Sequence, residues 1–197
     1  MRKPEFVYVT YIETTPEKLW EALTSSEFSR RYWFNTELKT DWKVGSPFAL
    51  VMDGTTTDVG EVLEFDRPRR LSYTFHHVLS EAARKERPTR VVFNLEPHGK
   101  LVKLTLTHED FEDGSVILDG ISKGWPAILS SLKSMLESGT ALAIPPSALG
   151  IEGGSNEHRS FQAGHRLHHL YRFNARESLG STDDRGIQPE ILFRQCG

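Results

Sequence analysis

Seven stretches of the chain alternate apolar and polar residues with the period of a strand, and three carry apolar residues at helical spacing. Phe6 to Ile12 alternates first. It stops at Thr14-Thr15-Pro16-Glu17, a capping-box pattern with a proline in the first helical turn. Leu19, Trp20 and Leu23 then share one face of a short helix. Thr24-Ser25-Ser26-Glu27 repeats the cap and opens a second one holding Phe28 and Tyr32.

Six further strands follow. Asn35 to Asp41 turns at Lys43-Val44-Gly45-Ser46 into a strand alternating at Phe48, Leu50 and Met52. That strand turns at Asp53-Gly54, a strong hairpin dipeptide. Asp58 to Phe65 runs into Asp66-Arg67-Pro68. Leu71, Tyr73, Phe75 and His77 share a face of the next strand, as do Val91, Phe93 and Leu95, then Val102, Leu104, Leu106 and His108. Pro97-His98-Gly99 reads as a tight turn. The stretch from Leu79 to Arg90 is too charged for core; it reads as a solvated loop or as the lid of a pocket.

From Ser115 the period becomes helical, with Ile117, Ile121, Trp125, Ile128, Leu132 and Leu136 in one stripe that Leu129 and Met135 broaden. Gly139 is placed to cap the helix, and Pro126 beside Gly124 is expected to kink it. The fold class is therefore α+β: a curved antiparallel sheet wrapped around one long C-terminal helix, with two short helices after the first strand.

The landmarks also carry a family likeness. Thr15-Pro16-Glu17-Lys18-Leu19-Trp20, Tyr32-Trp33-Phe34, Gly60-Glu61-Val62-Leu63-Glu64 to Pro68, Leu71-Ser72-Tyr73-Thr74-Phe75 and Gly124-Trp125-Pro126 occur in order, before Leu132-Lys133-Ser134-Met135-Leu136-Glu137. Over residues 5 to 139 the chain resembles the activator-of-Hsp-90-ATPase-like family, in the START-like superfamily that also holds polyketide cyclases and lipid carriers. The resemblance implies a helix-grip fold with an internal pocket and no shared catalytic residue.

Composition sets the boundaries. Before Gly139 there are nine Lys and nine Arg; after it come six Arg, six acidic residues and no Lys, while the apolar periodicity ends. Residues 1–139 are expected to form the domain, and 140–197 a poorly ordered tail; a chain read in the wrong frame would look the same. Cys196 is the sole cysteine, which rules out an internal disulfide and points to a reducing, cytoplasmic setting. No segment is long and apolar enough for a membrane span, and a net charge of −3 gives no footprint for nucleic acid.

The parity of the strands collects candidate pocket residues on one face: Phe48, Leu50, Met52, Tyr73, Phe75, Phe93, Leu104 and Leu106, opposed by Trp125 and Leu129 on the helix. His77 and His108, at strand ends, would orient a ligand near the mouth. The plainer reading is that Trp125 and both histidines are ordinary satisfied core. His158, His165, His168 and His169 lack a scaffold to hold a metal, so none is expected, nor any cofactor. Binding of a hydrophobic small molecule leads. A cyclase or dehydratase, in which His77, His108 or Tyr73 moves protons, and a co-chaperone that docks on a protein partner stay open.

Overall fold

The computed structural model describes residues 4–145. Strand β1 (Phe6–Glu13) leads into helices α1 (Pro16–Thr24) and α2 (Ser26–Tyr32), then β2 (Thr36–Lys39), β3 (Pro47–Met52), β4 (Thr55–Asp66) and β5 (Arg70–His77). Helix α3 (Glu81–Lys85) precedes β6 (Thr89–His98), β7 (Leu101–Glu109) and α4 (Val116–Ser138). The strands form one antiparallel sheet in the order β1-β7-β6-β5-β4-β3-β2. Every connection except β1 to β2 joins neighbours. The two short helices carry that one crossover from edge to edge.

The concave face is largely apolar, because one parity of each strand is buried. Helix α4 lies over it with Ile121, Trp125, Ile128, Leu129, Leu132 and Met135 inward. Thr15 caps α1 by accepting from the Lys18 N–H, and Gly139 closes α4 in the left-handed region at φ 81°. Strand β1 is an edge, and α4 answers part of it: Lys133 Nζ donates to the Tyr11 carbonyl at 2.6 Å, and the Glu13 N–H donates to Glu137 Oε1 at 2.8 Å. The odd residues Val7, Val9 and Tyr11 stay about half exposed on the outer side.

Two expectations change, and a third element is continuous. The stretch after Leu79 is not all loop, since Ser80 accepts from the Ala83 N–H and starts α3, which buries Ala83. Pro97 and His98 belong to β6, paired with Val102 and Leu101, so the turn is tighter than it reads. Helix α4 is not interrupted at Pro126, which it carries within a continuous run from Val116 to Ser138. A proline there costs about 3 kcal/mol, and burying several large apolar side chains at about 1.5–3 kcal/mol each outweighs it.

An irregularity in β4 sets the inner face. The β4–β5 register shifts between Val62 and Glu64, so Leu63 is an extra residue. Such a bulge reverses which side the preceding residues face. It turns Val62 and Asp58 inward, and Asp58 pairs with His77 instead of with the residue after it. A cross-strand row Leu38–Leu50–Asp58–His77 results on the concave face.

Candidate functional site

All twelve residues expected from sequence (Phe48, Leu50, Met52, Tyr73, Phe75, His77, Phe93, Leu104, Leu106, His108, Trp125 and Leu129) are buried, each at most 7% exposed, and the apolar ones except Met52 join the central core cluster. Their rings form a continuous chain. Phe48 stacks on Tyr73 at 4.1 Å between centroids, Tyr73 tilts against Phe93, and Phe93 meets Trp125 edge-on at 5.8 Å. Trp125 also touches Trp33, while Phe75 sits edge-on to His108 at 5.1 Å. In this conformation the face is closed from solvent.

The two histidines have different roles. His108 is fully buried, and both ring nitrogens are occupied. Indole Nε1 of Trp125 can only donate, so at 3.0 Å it fixes His108 Nδ1 as the acceptor. The proton therefore sits on Nε2, which donates to Thr89 Oγ1 at 2.7 Å, and that hydroxyl donates to the Phe75 carbonyl at 3.0 Å. The relay ties α4 to β7, β6 and β5 through a neutral imidazole. Burial pushes its pKa down from 6.5 to about 3.

This gives a test. Between pH 6.5 and about 3 the unfolded chain takes up a proton that the folded His108 refuses. Its contribution is therefore complete above 6.5 and is lost as the pH falls. Unfolding free energies measured from pH 7 to pH 4 should fall faster for wild type than for His108→Gln, by about 1.4 kcal/mol per pH unit. Parallel curves would mean that His108 titrates normally and the relay is not formed.

His77 instead faces a carboxylate that spacing alone did not reveal. Its Nδ1 lies 2.8 Å from Asp58 Oδ1, with side chains 3% and 8% exposed. Tyr73 lies inside the same face, and burial, with lesser contributions from Tyr32 and Asp58, holds its phenol well above the usual range, hence protonated. Thr36, opposite Met52 on β2, turns inward by the parity of Leu38. Its Oγ1 is buried and has no hydrogen-bond partner among the described residues. The inner face is thus aromatic through its middle and polar at one end, where Thr36, Asp58 and His77 lie. Chemically, that end can orient a polar group, and an imidazole fixed by a carboxylate can carry a proton.

A groove of about 470 Å³ lies among Asp66, Arg69, Arg70, Asn94, Leu95, Glu96, Lys103 and Thr105. Each of its cations already has an acid: Arg69 bonds Asp66, Arg70 bonds Glu64 and Lys103 bonds Glu96. Among the described residues no group of three metal-ligating side chains is present, and no helix is long and apolar enough to cross a membrane. His158, His165, His168 and His169 fall outside the described residues.

A curled seven-stranded antiparallel sheet clasping one long C-terminal helix is the helix-grip architecture of START-like proteins. The model of the family named Activator of Hsp90 ATPase homolog 1-like protein matches residues 13–137, and the chain belongs to that family. Among solved structures it is similar to protein MLL2253 from Mesorhizobium loti, with 27% identity, a TM-score of 0.59, and coverage of 68% of this chain and 96% of that one. The Aha1 dimer from Colwellia psychrerythraea shares 20% identity at a TM-score of 0.58, over 69% of this chain and 98% of that one. PFC0360w, an HSP90 activator from Plasmodium falciparum, shares 20% at 0.57, over 67% and 95%. At these two identities the likeness is one of fold. No curated protein matches the chain.

Proposed function

We propose that the domain binds a small amphipathic molecule between α4 and the β2–β5 half of the sheet, with the ligand's polar end toward Thr36, Asp58 and His77. The observation that carries this is the Thr36 hydroxyl, 1% exposed and without a partner. Leaving a buried hydroxyl unsatisfied costs about 1–3 kcal/mol, so such groups are uncommon unless something else bonds them. Ser72 Oγ is also buried without a partner, but it sits on β5 at the opposite parity from Tyr73 and Leu71. Thr36 is on the inner face, whose aromatic middle would give a ligand most of its binding from area. In this reading His108 is a structural tie and His77 an orienting group. The second reading is a protein partner. It is favoured by the exposed outer row Val7, Val9 and Tyr11 on an edge strand, and it accords with the HSP90 activator among the structural relatives.

One titration separates them. A hydrophobic fluorophore such as anilinonaphthalene sulfonate should bind wild type and lose at least about tenfold in affinity in Phe75→Trp or Leu50→Trp, each of which fills the β2–β5 half of the inner face. Thr36→Val should raise the unfolding free energy of the ligand-free protein by about 1 kcal/mol, because it removes an unsatisfied hydroxyl. Fluorophore binding that survives both fillings would put the apolar site on the surface, and the partner reading would replace the ligand reading.

A further inference from the structure

A face on which every candidate residue is at most 7% exposed can take up a ligand only if some segment moves. The segment between β5 and β6 is placed to be that one. It leaves β5 directly after His77, and the Val78 N–H is anchored on the Thr57 carbonyl at 2.9 Å. It then crosses as α3 to the start of α4. Its helix is five residues long and buries only Ala83. By contrast β5 and β6, on either side, are paired along six registered positions.

Two side-chain contacts hold the crossing down. Glu86 reaches the first turn of α4, where Oε1 accepts from the Val116 N–H at 2.7 Å and Oε2 accepts from the Ser115 hydroxyl at 2.5 Å. Ser115 is itself the cap of α4 and accepts from the Leu118 N–H. A carboxylate there satisfies a free helical donor and meets the positive end of the helix dipole. Next to it, Arg87 Nε bonds Glu112 at 2.8 Å across an exposed gap. Little apolar area resists opening, and two polar contacts decide it. Low-stability segments of this composition open locally without global unfolding.

We propose that residues 78–88 are the gate to the inner face, and that Glu86 is the latch that holds it shut against the N-terminus of α4. The gate begins directly after His77, so a ligand would pass its apolar end first toward the aromatic middle. Its polar group would then lie beside Asp58 and His77 as the latch closes. The proposal rests on the ligand reading above, and the test keeps the two apart.

Hydrogen exchange on the full chain should show residues 79–87 opening about tenfold faster in Glu86→Ala than in wild type, the effect of losing a charge-assisted pair of hydrogen bonds. Amides of β5 and β6 should stay at wild-type rates, which separates gate opening from general destabilisation. Arg87→Ala, which leaves the α4 cap intact, should give a smaller increase in the same residues. In stopped-flow mixing, the association rate of anilinonaphthalene sulfonate should rise severalfold in Glu86→Ala, with dissociation rising alongside. Exchange at 79–87 that is unchanged in both variants overturns the latch, whatever the fluorophore does. Faster exchange with an unchanged association rate overturns the gate and leaves the ligand site standing. Faster exchange with no fluorophore binding even to wild type removes the ligand reading and the gate with it.

Discussion

Replacing Gly60 with alanine is expected to destabilise the domain by about 3 kcal/mol or more, near the upper end for overpacking. An alanine Cβ at this position would lie 1.8 Å from the Thr74 carbonyl oxygen and 2.7 Å from its carbon. Both are backbone atoms, so no side chain can swing aside. Here the β4–β5 ladder is locally mediated by a side chain: the Glu61 N–H donates to Thr74 Oγ1 at 2.8 Å. Gly60 pairs with Phe48 across β3, and a Cβ there would point at β5 rather than into the inner face. Chemical denaturation of Gly60→Ala against wild type is the check. A loss below about 1 kcal/mol, the scale of a surface change, would show that β4 relaxes freely.

How far the sequence could be read depended on whether one residue's position determines another's. The alternation from Leu71 to His108 needs only that one face be buried, and it gave the right inner set for β5, β6 and β7. The cap at Thr15 and the close at Gly139 are local chemistry and were equally plain. Asp58 was different. Counting outward from the Asp66–Arg70 pair without a bulge sets it opposite Val78 and sends it to solvent; the extra residue at Leu63 brings it in beside His77. A glycine inside the strand pattern at position 60 was the one available sign that β4 is irregular. Thr36 was hidden by its chemistry, since a threonine beside a turn is unremarkable until the parity of Leu38 is known. Helix α3 was missed because it buries a single alanine and so leaves no stripe. The partner of His108 comes from a helix seventeen residues further along, and only packing could assign it.

That last pairing makes Trp125 the other position where a large effect is expected. Trp125→Ala should cost about 3–5 kcal/mol, as for other buried large aromatics. The indole is 2% exposed and meets Phe93, Trp33 and His108. Area is only part of the loss, because its Nε1–H is the donor that satisfies the fully buried His108 Nδ1. Trp125→Phe separates the two contributions. It keeps most of the apolar contact, yet leaves the imidazole acceptor unpaired, which by itself costs about 1–3 kcal/mol. In the double variant Trp125→Phe with His108→Leu, the orphaned acceptor is gone, so the loss should be smaller than the sum of the two single losses. Denaturant midpoints for the four proteins complete the cycle. Additive losses would mean that the Trp125–His108 bond contributes nothing, and Trp125 would then be ordinary filling between α4 and the sheet.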